Sequence, residues 1–160
     1  MSSGMRTIPM HEHHVDDVVA IESATSATPW SASVFISEMN SPTHILLVAV
    51  IDSSLHPHAE KVVGFSGGQL IGNELHIHSL AVGTEFRRVG TGTNLIRNLI
   101  QAGSERDAIS ATLEVRVGNE AARTLYESLG FTTEGIRPKY YVDNGEDAAI
   151  MWLRSFEGLL

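Results

Sequence analysis

The chain has 160 residues, 42% hydrophobic and 19% charged, a composition that predicts one globular domain rather than a disordered chain. It has no cysteine, which excludes disulfides and a cysteine nucleophile, and no apolar run of about 18 residues or leader, so no membrane span is expected. Its net charge of −8 argues against a nucleic-acid ligand and favours a basic partner. The lack of a leader and of a long apolar run predicts a cytoplasmic protein.

The N-terminal part of the chain predicts one short strand and two helices. Residues 1–4 are interpreted as a flexible tail and residues 6–9 as the strand. Valines within 15–19 recur at helical spacing and predict the first helix. The second helix is expected to begin at Ser31, whose hydroxyl would cap it, and to end before Pro42.

Three strands are predicted in the middle of the chain. Residues 44–51 are continuously apolar, which indicates a strand covered on both faces in the interior of a sheet. Residues 61–70 and 74–82 predict the next two strands, and Gly67-Gly68 is expected to break the first of them.

The C-terminal half predicts two helices and three strands. Apolar residues within 95–100 form the buried stripe of a helix, and residues 119–129 predict a second one. Strands are expected at 111–117, around 132–140 and at 147–153. The whole order is β-α-α-β-β-β-α-β-α-β-β, so the fold class is α/β, a mixed sheet with helices on both faces.

A glycine-containing turn, residues 87–93, separates the strand at 74–82 from the next helix. Gly90 and Gly92 allow a ligand to approach the backbone, and the helix start offers free amides to an anion. A Walker A loop is excluded because no lysine follows, and a dinucleotide fingerprint lacks its third glycine, since Leu95 occupies that position. The turn therefore predicts a phosphate-binding site of another kind.

The pattern Arg87-x-x-Gly90-x-Gly92 resembles the acetyl-CoA pyrophosphate loop of the GNAT superfamily of N-acetyltransferases. Other motifs resemble its RimI-type branch of ribosomal-protein-alanine and N-terminal acetyltransferases. They are P-W-S-x-x-x-F from Pro29 to Phe35, L-E-V-R from Leu113, N-x-x-A-x-x-L-Y-x-x-x-G-F from Asn119, the pair Tyr140-Tyr141, and G-E-D-A from Gly145. The resemblance spans about residues 5–153 and departs from the branch at Arg87 and Ser79, where Gln and Asn are often found.

The resemblance implies the GNAT fold, with about six or seven strands and two neighbours that splay apart at the acetyl-CoA site. It implies acetyl-CoA as acetyl donor and no metal. The residues expected to bind the donor are Leu80, Ala81, Val82, Arg87, Arg88, Val89, Gly90, Thr91, Gly92, Thr93 and Asn119. The residues expected to contact the acceptor are Trp30, Tyr140 and Tyr141.

Glu114 is the candidate general base for the acceptor amine. On a strand its side chain points to the face opposite Leu113 and Val115, next to the expected phosphate site. Arg116 shares that face, so a structural ion pair with Glu114 is the alternative interpretation. The resemblance favours the base.

Tyr126 is the candidate general acid, because a phenol is protonated at neutral pH and can donate to the leaving sulfur. It lies two helical turns after Asn119 and would share its helix face. The alternative is a core aromatic packed beside Leu125 and Leu129. Asn119 either caps its helix or binds the donor, and one side chain can do both.

The resemblance implies direct acetyl transfer, in a ternary complex, to the N-terminal α-amine of a protein, and in bacteria to a ribosomal protein beginning with alanine. One alternative is a GNAT enzyme that acts on a small-molecule amine or a lysine side chain. Another is a non-catalytic acyl-CoA-binding module, which the presence of both Glu114 and Tyr126 disfavours. A monomer or weak dimer without nucleic-acid or membrane partners is expected.

Eight histidines raise the question of a metal site. The run His11-Glu12-His13-His14 has no firmly predicted secondary structure and no evident distant ligand, so a solvated segment is expected. His76 and His78 share one face of a strand leading into the site, and a proton relay through either remains open.

Overall fold

The computed structural model describes residues 4–160, so residues 1–3 of the expected tail lie outside the described residues. The strands are β1 (Arg6–Pro9), β2 (His44–Asp52), β3 (Glu60–Ile71), β4 (Glu74–Val82), β5 (Ser110–Arg116), β6 (Thr132–Arg137) and β7 (Ala148–Leu153). The helices are α1 (Val15–Thr25), α2 (Ala32–Met39), α3 (Thr91–Ser104) and α4 (Glu120–Ser128). Short 3₁₀ turns cover Glu12–His14 and Thr84–Phe86. This order confirms the predicted sequence of elements.

Within residues 4–160 the strands form one seven-stranded sheet in the order β1-β2-β3-β4-β5-β7-β6. Neighbouring strands are antiparallel except β4 and β5, which are parallel, so the sheet is mixed as predicted. Among these residues no helix is both long and apolar enough to cross a membrane.

The strand β2 shows why its sequence is apolar without interruption. It lies between β1 and β3, and its side chains alternate between two cores. Ile45 and Leu47 belong to the core that contains α3 and α4, whereas Leu46 and Val48 belong to the core that contains α1 and α2. Helices therefore cover both faces of the sheet, and the prediction of an interior strand is confirmed.

The glycine pair Gly67-Gly68 does not break β3, contrary to expectation. The strand continues through both glycines, and the register with β4 shifts by one residue there, which leaves His78 of β4 without a partner residue on β3. A Cβ atom at Gly68 would lie 2.8 Å from the carbonyl oxygen of His76. The glycines thus permit the close approach of two strands at a β-bulge.

The bulge at His78 coincides with the point where β4 leaves β5. Pairing of these two strands runs only from Glu74 opposite Ser110 to Ile77 opposite Leu113. Beyond the bulge β4 continues to pair with β3 as far as Val82, so the gap opens on the β5 side alone. The predicted splay of two strands is confirmed.

Two local predictions differ from the structure. The strand β6 ends at Arg137 rather than near Tyr140, because Pro138 has no amide hydrogen to pair and Lys139 has a φ of +52°. Ser31 is the residue before α2, as expected, but its hydroxyl does not cap the helix. That hydroxyl lies 2.9 Å from the Ser33 hydroxyl instead.

Candidate active site

The gap between β4 and β5 opens into a cleft of about 1080 Å³. Ligand sites in proteins usually have volumes of about 300–1,000 Å³, so this cleft can hold a large ligand. One side, here called the helix wall, consists of the end of β4, the turn 87–93 and the exposed side of α4. The other side, here called the loop wall, includes Trp30, Arg116 and Tyr141.

The glycine turn of the helix wall has a fixed backbone. Gly90 has a φ of +86° immediately before α3, a conformation in which glycine has no steric penalty. The Arg87 Nε donates a hydrogen bond to the Val82 carbonyl at 3.1 Å, and the Thr91 hydroxyl donates to the Phe86 carbonyl at 3.1 Å. The turn therefore presents the start of α3, with its free amides and positive dipole end, to the cleft. This arrangement can bind an anion.

The helices α3 and α4 approach each other closely at the cleft. A Cβ atom at Gly92 would lie 3.0 Å from Cδ1 of Leu125 on α4. Asn119 lies at the cleft and caps α4, since its Oδ1 accepts the amide hydrogen of Ala122 at 3.1 Å. The capping interpretation of Asn119 is confirmed, while donor binding by the same side chain stays a prediction.

The last residues of β4 expose backbone groups to the cleft. Leu80, Ala81 and Val82 line it, and in this stretch β4 has no β5 neighbour. Amide and carbonyl groups on that edge have no sheet partner, and apart from the Val82 carbonyl, which accepts the hydrogen bond from Arg87, they can bind a ligand.

The loop wall is held together by the Arg116 guanidinium. Its Nη2 donates to both carboxylate oxygens of Asp143 at 3.0 Å, and its Nη1 lies 3.4 Å from Oε1 of Glu146. The guanidinium carbon lies 3.9 Å from the centre of the Tyr141 ring. The other oxygen of Glu146 accepts the amide hydrogen of Gly118 at 2.9 Å. These contacts fix Tyr141 against the end of β5.

The Glu114 side chain is 35% exposed and lies on the same face of β5 as Arg116. Its Oε1 lies 3.5 Å from Nε of Arg137, a separation too long for a good hydrogen bond. The alternative of an ion pair with Arg116 is wrong, because Asp143 and Glu146 occupy that guanidinium. Glu114 is absent from the cleft lining, although its strand neighbour Arg116 is part of it.

Tyr126 is buried in the core with 6% of its surface exposed, and it is not part of the cleft lining. Its ring contacts Phe131, with the ring centres 5.6 Å apart. Burial raises the pKa of its phenol well above the usual range, and the charge of Tyr141 contributes in the same direction. The phenol therefore stays protonated, and its action as an acid remains a prediction.

The three aromatic residues predicted for the acceptor are divided between two places. Trp30 and Tyr141 line the cleft, whereas Tyr140 is 45% exposed outside it and packs edge-on against Tyr141 with ring centres 5.0 Å apart. The Trp30 amide donates to a Glu22 carboxylate oxygen at 3.0 Å.

Most residues predicted to bind the donor line the cleft, with the exception of Val89, which is 63% exposed and not in the lining. Sequence reasoning missed Glu22 on α1 and the cleft side of α4, where Ala122 and Leu125 lie. The helical spacing of Ala122 and Leu125 could have indicated a common face. Nothing in the local sequence of α1 marks Glu22.

The histidine run has both secondary structure and a distant partner, contrary to expectation. His13 and His14 belong to a 3₁₀ turn, and their Nε2 atoms lie 3.2 and 2.6 Å from Oε2 of Glu60. Burial lowers the pKa of His14, while its hydrogen bond to Glu60 acts in the opposite direction. His14 is therefore uncharged at neutral pH.

His76 and His78 differ in their surroundings. His76 has a carboxylate partner, Glu74, at 3.0 Å. His78 faces the cleft, and desolvation by the surrounding protein lowers its pKa, with smaller contributions from His44 and His76. The charge of Glu114 acts in the opposite direction.

Comparisons with known proteins agree with this geometry. Residues 11–131 match the acetyltransferase (GNAT) family. A Bacillus subtilis protein provisionally assigned as a ribosomal protein bS18-alanine N-acetyltransferase is 35% identical over 146 residues, covering 90% of this chain and 91% of the relative. The crystal structure of the Escherichia coli ribosomal-protein-S18-alanine N-acetyltransferase is 30% identical and superposes with a TM-score of 0.80 over 96% of both chains.

A more distant structure, Arabidopsis thaliana NAA60 in complex with acetyl-CoA, shares the fold with a TM-score of 0.82 at 18% identity, covering 93% of this chain and 97% of the other. The matched family, the open mixed sheet and the cleft between β4 and β5 lead to one assignment: the chain belongs to the GNAT family of acetyltransferases.

Proposed function

We propose that this enzyme transfers the acetyl group of acetyl-CoA to the N-terminal α-amine of a protein, a ribosomal protein that begins with alanine. The observation that carries the proposal is the cleft between β4 and β5, which extends from the start of α3 to Arg116 at the end of β5, the strand that also carries Glu114. The similarity to acetyltransferases named for ribosomal protein S18 supports the choice of acceptor. An enzyme with that acceptor acts in the cytoplasm, and its acidic net charge suits a basic acceptor.

The helix wall has the features that acetyl-CoA requires. The pyrophosphate would lie against the amides of the turn 87–93 and the start of α3, and Arg87 and Arg88 add positive charge there. Asn119 and the free edge of β4 would bind the pantetheine arm. When bound, acetyl-CoA supplies a reactive thioester at the end of this arm.

The backbone of Leu80–Val82 would stabilise the charge that develops on the thioester oxygen. Its free amides are already oriented by the pairing of β4 with β3, so they need no reorganisation during the reaction. As the family resemblance implies, the amine would attack the thioester directly in a ternary complex, and a cysteine acyl-enzyme is not available because the chain has no cysteine.

Glu114 would take the proton of the attacking amine, directly or through one water molecule. How much proton removal the reaction needs from this base depends on the acceptor. At pH 7 about one α-amine in ten is already neutral, whereas fewer than about one lysine side chain in a thousand is neutral. A partly exposed carboxylate that has only a long contact to Arg137 therefore suits an α-amine better than a lysine.

Tyr126 would donate its phenolic proton to the leaving sulfur, so that coenzyme A departs as a thiol, and the phenolate would be reprotonated from solvent. Because burial raises the pKa of this phenol, it is a reliable donor at every physiological pH but gives up its proton reluctantly. Trp30, Tyr140 and Tyr141 would contact the acceptor peptide from the loop wall and its rim.

Mass spectrometry of a peptide panel incubated with acetyl-CoA tests the proposal. The panel pairs each free N-terminus with its blocked form, varies the first residue and includes internal lysines. We expect acetylation only of free α-amines, strongest for alanine or serine. Modification of lysines, or of small amines but no peptide, would replace the proposed acceptor. Acetyl-CoA binding without turnover on any amine would identify a non-catalytic module.

A further inference from the structure

A second group of side chains converges beside the cleft, on the face of the sheet that carries α1 and α2. Glu38 lies on α2, His44 begins β2, and His78 is the bulge residue of β4 that lines the cleft. Their ligand atoms, one carboxylate oxygen and two imidazole nitrogens, all lie within 4.8 Å of one another. Three separate elements thus bring a set of metal-binding groups to one point.

These atoms face each other without bonding to each other. The Nε2 of His44 lies 3.9 Å from Oε1 of Glu38, too far for a hydrogen bond. Within residues 4–160, neither the Glu38 carboxylate nor the His78 ring makes any hydrogen bond. Glu38 and His44 are only 19% and 15% exposed, so their lone pairs are largely shielded from water. A partly buried carboxylate without a hydrogen-bond partner is suited to a cation, and the exposed His78 adds a ring without a hydrogen bond beside it.

The His44 ring is oriented as in known metal sites. Its Nδ1 lies 2.8 Å from the Ser41 hydroxyl, which fixes the ring and leaves Nε2 free on the side of Glu38 and His78. Metal-binding histidines usually have such a partner on the second ring nitrogen.

A second group of possible metal ligands consists of His13, His14 and Glu60. It has the same donor types, but its donor atoms already make hydrogen bonds to one another. The Nδ1 of His14 accepts the amide hydrogen of His11 at 2.9 Å, so its proton must be on Nε2. That proton is donated to Glu60 at 2.6 Å, and Arg6 also binds this carboxylate, at 3.0 Å. The group is saturated by its own hydrogen bonds and carries a nearby positive charge.

We propose that Glu38, His44 and His78 form a binding site for a divalent transition-metal ion of the zinc class. Two imidazoles and a carboxylate match the three protein ligands of open zinc sites. Ligand atoms bound to one zinc ion lie about 3.4 Å apart. Small side-chain rotations would bring the three ligand atoms from their present separations to that distance. Of the three residues only His78 lines the cleft, so the ion would lie at its edge. The ion would bring a bound water molecule there.

Titration of the untagged full-length chain with Zn²⁺ and with Co²⁺ tests the site. Calorimetry measures the affinity, and the visible absorption of Co²⁺ reports its coordination number. We expect one ion per chain, with the intense bands of a four-coordinate site. Replacements His78→Ala, His44→Ala and Glu38→Gln are each expected to weaken binding by at least about tenfold.

The matched control is His13→Ala, which alters the saturated group and is expected to change the affinity by less than about twofold. No saturable binding by about 100 μM metal, or binding that His13→Ala abolishes and His78→Ala leaves intact, would overturn the proposal. Should His44→Ala not fold, His78→Ala and Glu38→Gln decide the question, because His78 is exposed and Glu38→Gln preserves the shape of the side chain. All these readouts are independent of acetyl transfer.

Discussion

The helix wall and the loop wall of the cleft present different atoms to a ligand. The helix wall offers mainly backbone amides, from the edge of β4 and the start of α3, and its shape depends on Gly90 and Gly92. The loop wall offers charged and aromatic side chains, which Arg116 connects to one another. A site that binds through main-chain groups tolerates substitution of its side chains, so it suits a ligand that does not vary. The specificity of a site that binds through side chains can be altered one residue at a time. The comparison therefore predicts that substitutions on the two walls affect different kinetic constants.

The largest expected effect is the loss of kcat when Glu114 on β5 is replaced. Glu114→Gln should lower kcat by about a hundredfold or more, because removing a general base typically costs that much, and it should leave the KM for acetyl-CoA unchanged. Steady-state kinetics with a saturating peptide measures both constants. Glu134→Gln on β6 is the matched control, since it removes an exposed carboxylate that is ion-paired with Arg154 and has no proposed role in acetyl transfer. A kcat for Glu114→Gln within threefold of the wild type would exclude the base assignment.

The substitution Tyr126→Phe distinguishes a role of the hydroxyl in catalysis from a role of the ring in core packing. The ring that packs on Phe131 is retained, so the free energy of unfolding should change by less than about 1 kcal/mol. We expect kcat to fall by about tenfold through loss of the hydrogen-bond donor. Thermal unfolding and kinetics on the same preparation distinguish the two effects. An unchanged kcat would leave Tyr126 as a core residue only.

Substitutions at Gly90 and Gly72 test whether main-chain groups of the helix wall bind acetyl-CoA. Gly90 and Gly72 both have positive φ, and a Cβ atom at either would meet open space. Gly90→Ala and Gly72→Ala should each cost about 1–2 kcal/mol of stability through the same backbone strain. Only Gly90→Ala should also raise the KM for acetyl-CoA, by about tenfold. Equal KM values for the two variants would contradict anion binding at the start of α3.

The smallest expected effect concerns surface charge on the helix wall. Arg88→Gln should raise the KM for acetyl-CoA by about threefold at low salt, and the difference should shrink as salt screens the charge. Arg97→Gln, an exposed arginine further along α3, serves as the control. A salt-independent effect would point to a steric cause rather than to charge.

The sequence predicts most accurately those features that depend on the spacing of residues close together in the chain. The turn 87–93 was recognised because its glycines, arginines and helix start are consecutive, and α3 follows from an apolar stripe. The convergence of Glu38, His44 and His78 could not be foreseen, because it depends on how α2, β2 and β4 pack. Likewise Arg116, predicted as a possible partner of Glu114, has closer partners on a loop 27 and 30 residues away. Side-chain pairing across such distances is a tertiary property.

The unpaired residue at the β4 bulge also determines which chain lengths this fold can accept. Before the bulge, Leu75 and Ile77 face the core below α3, and after it Leu80 and Val82 face that same side around Leu95. The alternation of side chains thus changes from odd to even positions at His78. Deleting this one residue would restore regular alternation, with Leu80 and Val82 still on the core side, but it would remove the bulge and with it the bend that separates β4 from β5, whereas inserting one further residue would turn those side chains to the opposite face. We therefore expect relatives with an open cleft to accept insertions in the loop between β2 and β3 far more readily than any change of length in β4.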